Sequence, residues 1–217
     1  RIPQLFEEVI MPAGKRLPQA YYQSLEVTAL AKDLLGKYLV TEINGIRCSG
    51  KIVETEAYRG PDDKACHAYN NRRTPRTEVM YKSGGVAYIY ICYGMHHLMN
   101  IVTGPKDNAH AVLIRALEPA EGVETMAERR QMQASDFRLT KGPGALSLAM
   151  GLTSEWSGVS LITSTPVWVE DRGLSLSAHE ICSGPRIGVE SAGEAATWPW
   201  RYFIKGNKYV SAKKTCA

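Results

Sequence analysis

The run Lys51-Ile52-Val53-Glu54-Thr55-Glu56-Ala57-Tyr58 sets two carboxylates and a phenol at alternate positions. Alternate side chains of a strand point the same way, so Glu54, Glu56 and Tyr58 share one face and Val53, Thr55 and Ala57 the other. A carboxylate beside an aromatic on a rigid element can activate a water or stabilise a transition state that gains positive charge. The plainer alternative is a half-solvated strand with its glutamates in water, and spacing alone does not choose between the two glutamates.

Three further groups of residues could carry chemistry. Tyr88-Ile89-Tyr90-Ile91-Cys92-Tyr93-Gly94-Met95-His96-His97 places Tyr88 and Tyr90 on one face, while Tyr93 falls out of step and precedes Gly94, as a residue at a turn tip would. An exposed aromatic there can stack on a base or wedge between base steps, although tyrosine also simply favours strands. Cys66, His67, Cys92, His96 and His97 lack Cys-x-x-Cys or His-x-x-x-His spacing, so no metal site is expected. Asn70-Asn71-Arg72-Arg73-Thr74-Pro75-Arg76 is a basic loop that could grip phosphates or simply be solvated. Gly142-Pro143-Gly144 lacks the downstream residues of a phosphate loop, and no Gly-x-Ser-x-Gly elbow occurs.

The elements that must position these groups are strand-rich. Ser24 is a candidate N-cap, Val27, Leu30, Ala31, Leu34 and Leu35 follow at helical spacing, and Gly36 suits a left-handed C-cap. Strands are expected over 37–43 and 46–58, joined by Asn44-Gly45, a hairpin signal because both residues tolerate positive φ. Residues 59–84 read as a long loop. Further strands are expected over 85–92, 110–117, 167–170, 186–189 and 202–205, with helices over 119–133 and 144–150. Few βαβ alternations occur, so the fold class is α+β on a mixed or antiparallel curved sheet. Residues 1–217 are expected to form a single domain, with 1–23 an extended N-terminal arm. The chain opens on Arg1 rather than Met, so some leading residues are expected to be missing or processed.

Composition is permissive. The 217 residues are 44% hydrophobic, and 26 Lys plus Arg against 22 Asp plus Glu leave a net charge of +4, compatible with a polyanionic partner. Five irregularly spaced cysteines are not a disulfide framework, so reduced thiols and an intracellular location (cytoplasm or nucleoid, or a nucleus) are expected. No apolar run is long enough for a membrane span.

Taken in order, Val53-Glu54-Thr55-Glu56-Ala57-Tyr58, His67, Thr74-Pro75-Arg76, Tyr88 to Met95, Met99-Asn100, Leu113 to Pro119, Pro185 to Val189 and Trp200 to Gly206 resemble the alkyladenine (3-methyladenine) DNA glycosylase family. The likeness spans roughly residues 24–211. It implies a monofunctional base excision repair enzyme that flips alkylated or deaminated purines from duplex DNA and hydrolyses the glycosidic bond. It also implies a curved, barrel-like antiparallel sheet, a monomer, no cofactor and no catalytic metal. By the same resemblance Glu56 is the general base and Arg115 helps hold the attacking water. The Ile187 backbone carbonyl touches that water, Tyr58, His67 and Tyr90 wall the base pocket, Asn100 crowds the guanine amine, and Tyr93 is the wedge. Thr74, Arg76, Gly94, Met95, His96 and Lys141 are expected to touch DNA. Two positions depart from the pattern: Ala145 stands where members often carry lysine, and His96-His97 where animal members carry aromatics. The competing reading is a non-catalytic nucleic-acid binding module with a stacking sheet. A carbohydrate glycosidase is disfavoured because Glu54 and Glu56 lie on one face rather than across a cleft.

Overall fold

The computed structural model describes residues 14–211 and 216. Its elements, in chain order, are β1 (Lys15–Arg16), α1 (Val27–Asp33), β2 (Tyr38–Ile43), β3 (Ile46–Arg59), β4 (Val86–Cys92), β5 (His96–Thr103), β6 (His110–Glu121), α2 (Val123–Arg130), α3 (Pro143–Met150), β7 (Val167–Asp171), β8 (Ile181–Gly184) and β9 (Arg201–Ile204). Every strand pair is antiparallel. The curled sheet runs β1-β7-β2-β3-β6-β5-β4, with β9 paired to β3 and β8 to β9.

β3 is the axis of this α+β fold. β2 covers the first half of one edge, β9 takes over that edge at Glu54–Glu56, and β6 follows the other edge from Ser49 to Arg59. The half of β3 that carries the carboxylates is therefore an interior strand with paired backbone on both sides. On one face α1 and α3 pack Leu30, Ala31, Leu34, Leu146, Ala149 and Met150 against Ile52, Met99, Ile101, Val112, Ile114 and Leu117. On another, Cys66, Ala68, Met80 and Tyr81 from the long 60–84 segment pack against Tyr88, Val102, Ala109 and Ala111, with Tyr58 and Tyr90 at their border.

The β3–β6 ladder breaks once where it matters. Ile52 pairs with Leu117 and Thr55 with Ile114, but between them Glu54 stands opposite Ala116, out of step on both sides. Ile52 and Leu117 face the main core, and so do Ala57, Ile114 and Val112, so the inward positions change parity across the break on both strands. Irregularities of this kind re-aim side chains. Glu54 and Arg115 both lie inside it.

Several expectations are corrected. The first helix starts at Val27, and the Ser24 hydroxyl accepts from the Glu26 N–H, a turn before the helix rather than its cap. β6 runs through Pro119 to Glu121, so the next helix begins only at Val123. Segment 186–189 is loop, the strand there being β8 just before it, and the buried Arg186 side chain within it donates to the Ala57 carbonyl and Asp63. β5 was not anticipated. Of the arm expected over 1–23, residues 1–13 lie outside the described residues, while Lys15–Arg16 pair with β7 and Gln19–Gln23 form a 3-10 turn. Val53 does not share the Ala57 face but packs with Ala116, Cys182, Phe203 and Val210. Cys182 is bonded to Cys216, against the expectation of thiols throughout, while Cys48, Cys66 and Cys92 are free. No helix among the described residues is long and apolar enough to cross a membrane.

Candidate active site

Glu54 and Glu56 are completely buried, which removes the solvated-strand reading. A buried carboxylate needs partners, because water no longer solvates it. Glu56 Oε1 accepts the Ile187 N–H at 2.8 Å and faces Arg115 Nη1 at 3.2 Å, and Oε2 accepts the Tyr58 hydroxyl at 2.7 Å. An ionised carboxylate offers about four acceptor positions, so one on Oε2 is left for a water. Ile187 thus meets the carboxylate through its N–H, a contact the sequence did not suggest.

Burial opposes the Arg115 charge, but Glu56 and Glu54 outweigh it and hold the guanidinium firmly protonated. Burial and the neighbouring Glu56 push the Tyr58 phenol well above its ordinary range, so it stays a donor. Arg186, seated against the Tyr58 ring at 4.7 Å, is fixed by both carboxylate oxygens of Asp63, at 2.5 and 2.8 Å, and by the Ala57 and Ala195 carbonyls. That buried pair anchors the loop carrying Ile187.

Beside Glu56, whose partners Tyr58, Arg115 and Ile187 form part of its wall, opens a cavity of about 300 Å³ that His67, Arg76, Tyr88, Tyr90, Tyr93 and Asn100 also line. Its size is at the small end for ligand pockets, about 300–1,000 Å³. The walls are aromatic: His67 meets Tyr90 edge-on with centroids 4.6 Å apart, and Tyr88 lies 5.5 Å from Tyr90. His67 Nδ1 bonds the Tyr88 hydroxyl at 2.9 Å and Nε2 faces Arg76 at 3.3 Å, which assigns the ring proton to Nδ1. Burial, with Arg76 and Arg72 adding to it, brings His67 down to about 4, so the imidazole is neutral at pH 7. The Asn100 amide donates to the Tyr88 and Leu98 carbonyls, which fixes its side chain against the wall.

Tyr93 stands at the mouth, 88% exposed on the β4–β5 hairpin. Tyr93 and Gly94 have φ of 51° and 72°, the paired positive values of a type I′ turn, and Met95 beside them is 70% exposed. The remaining expected DNA contacts divide. Arg76 is exposed and holds its guanidinium 4.9 Å above the Tyr90 ring, at the pocket. His96 is exposed and packs on Gly144, so the departure at 96 adjoins the foot of α3. Thr74 uses its hydroxyl in a turn with Thr77, and Lys141 sits over Phe137. His97 accepts from the Ser154 N–H, an internal tie. Among the described residues no group of three or more His, Cys, Asp or Glu is placed to hold a metal. Burial pushes the Cys66 thiol up to about 12, which makes it inert.

Sequence reasoning missed Asp63, Arg186, Arg201 and Ser211. Arg186 and Arg201 lie within motifs that drew the family likeness, but nothing in spacing says that their charges are buried.

A slot of aromatic rings, a buried carboxylate bonded to residues of its wall and an exposed tyrosine at its lip make up the candidate site. The description "Methylpurine-DNA glycosylase (MPG)" belongs to the family whose sequence pattern matches residues 20–208. Proteins of Chlamydia felis (49% identical, 88% of this chain and 97% of theirs) and Bacillus cereus (45%, 90% and 98%) are provisionally named 3-methyladenine DNA glycosylases. A Clostridium perfringens protein with the same name is 44% identical over 91% of this chain and all of its own length. The chain belongs to the methylpurine-DNA glycosylase family.

Proposed function

We propose that the protein flips alkylated or deaminated purines, chiefly 3-methyladenine, from duplex DNA and releases them by direct hydrolysis, leaving an abasic site on an intact strand. The observation that carries this reading is a buried Glu56 with one acceptor position open, whose three partners Tyr58, Arg115 and Ile187 all line the aromatic cavity. A water held there loses its proton to Glu56 as its oxygen bonds to the sugar C1′. The glycosidic bond breaks, and its electron pair leaves with the purine. The carboxylate also opposes the positive charge that grows on the sugar.

Substrate choice follows from the walls. A cationic purine is attracted to the π-faces of Tyr58 and Tyr90, and a neutral His67 does not repel it. Such bases pair and stack poorly, so extruding them costs less than the few kcal/mol of an intact pair. Tyr93 fills the vacated stack, and the fixed Asn100 leaves little room for a guanine amine. Hypoxanthine, etheno-adenine and 7-methylguanine are further candidates. No lysine lines the cavity among the described residues, so no amine is offered for a Schiff base, and the reaction stops at base release. The fully buried ion pairs behind the pocket disfavour a pure binding module, for which they would be an uncompensated cost.

The test is base release from duplexes that each hold one lesion. Glu56→Gln is expected to bind lesion DNA normally and release nothing, whereas retained turnover removes Glu56 from its role. Borohydride is expected to trap no covalent protein–DNA adduct.

A further inference from the structure

Glu54 has no place in the reaction as described: it is fully buried, and of its partners Arg201, Arg115 and Ser211 only Arg115 lines the cavity. Its contacts nonetheless all lead to the reacting group. Oε1 accepts from Arg201 Nη1 at 3.0 Å and lies 3.4 Å from Arg115 Nε, and Oε2 accepts the Ser211 N–H at 2.6 Å. Arg115 in turn reaches Glu56 through Nη1 and the Ser211 hydroxyl through Nη2 at 3.4 Å. The charges therefore alternate, Arg201, Glu54, Arg115, Glu56, in a buried row without net charge. Among the described residues, the buried pair beside this row, Arg186 and Asp63, neutralises itself.

We propose that Glu54 is a positioning residue for base release: clamped by Arg201 and the Ser211 backbone, it holds Arg115 back so that Glu56 keeps an acceptor position free for water. The proposal rests on Glu56 being the base.

Geometry explains why one carboxylate does not suffice. A guanidinium is a planar fork that pairs bidentately with a lone carboxylate when nothing else claims it. Glu54 holds Arg115 by charge at 3.4 Å from Nε, which makes no hydrogen bond, Ser211 takes Nη2, and Arg115 meets Glu56 through Nη1 alone. Without the Glu54 charge, Glu56 becomes the sole counter-ion for Arg115, and a closed fork would occupy both its oxygens. Arg201 extends the hold further, since its Nε donates to the Pro185 carbonyl at 3.0 Å, two residues before the Ile187 N–H that steadies Glu56. The break in the β3–β6 ladder is what lets Glu54 and Arg115 meet.

Single-turnover base release from a hypoxanthine-containing duplex, alongside affinity for an abasic-product duplex, tests this. Glu54→Gln is expected to slow release about 10- to 100-fold, the scale of a small misplacement near a reacting group, with affinity within about twofold. In an Arg115→Met background the same substitution is expected to add nothing, because both act through one contact. Wild-type release by Glu54→Gln overturns the proposal, and so do losses that multiply in the double variant. If Glu54→Gln shows no cooperative unfolding, Ser211→Pro, which removes both the N–H on Oε2 and the hydroxyl on Arg115 Nη2, is expected to slow release in the same direction, and an unchanged rate there overturns the proposal. Glu56→Gln run in parallel separates the two readings. An active Glu56→Gln defeats the assignment of the base, whereas an inactive one beside a wild-type Glu54→Gln defeats only this inference.

Discussion

Two hairpins of the sheet carry the same pair of left-handed positions on different residues, in a loop of two residues at one tip and of three at the other. The β2–β3 tip is Asn44-Gly45, with φ of 53° and 76°, and the β4–β5 tip is Tyr93-Gly94, with 51° and 72°. Asparagine and glycine are what a type I′ turn asks for, because both reach positive φ with little steric conflict. Tyrosine is not: its Cβ crowds the carbonyl in the left-handed region, at roughly 1–2 kcal/mol. The first tip is explained by folding alone, whereas the second holds an 88% exposed aromatic in a conformation that folding disfavours. Such a residue points to selection for what it touches.

Exchanging the tips sharpens or breaks that contrast. Tyr93→Ser is expected to slow base release from paired DNA by about 10- to 100-fold, a part of the few kcal/mol that extrusion requires, and single-stranded DNA much less. Equal losses on both substrates would leave Tyr93 without a wedge function. Asn44→Tyr, which writes the strained pair into the other tip, is expected to lower unfolding free energy by about 1–2 kcal/mol in urea titration without touching catalysis. Tyr93→Asn should act in reverse, raising stability by up to about 1 kcal/mol while base release falls.

The smallest effect separates the ground beneath the tips. The pocket next to Tyr93 contains His67, lowered from 6.5 to about 4. Between those values the unfolded chain binds a proton that the folded one refuses, so this contribution to stability is complete above pH 6.5 and is lost as the pH falls toward 4. An NMR titration of the imidazole should show a midpoint near 4, while a midpoint near 6.5 would mean that the ring is solvated.

The hairpin at Asn44-Gly45, the exposed tip at Tyr93 and the shared face of Glu54, Glu56 and Tyr58 were all legible in the sequence, because each follows from local geometry. Tyr58, His67, Tyr90, Asn100, Arg115 and Ile187, far apart along the chain, line one cavity. What stayed hidden depends on partners far along the chain. β5 lacks a turn signal of its own beyond Gly94 and is defined by pairing with both β4 and β6. Pro119 reads as a helix start, yet tertiary pairing with Gly50 keeps it in a strand. Arg186 and Arg201 look like any surface arginine until Asp63 and Glu54, more than a hundred residues earlier, are brought beside them.

The fault in the β3–β6 ladder sets a limit on improvement of this protein by design. Regularising Val53-Glu54 and Arg115-Ala116 into an ideal alternating ribbon would carry the upstream phase through the strand and turn Glu54, Glu56 and Tyr58 toward the helices. An engineer optimising strand regularity would thereby obtain a chain that conflicts with its own core, or, once those carboxylates were replaced, a robust and inert scaffold. These four residues are the ones to hold constant in any stabilised variant.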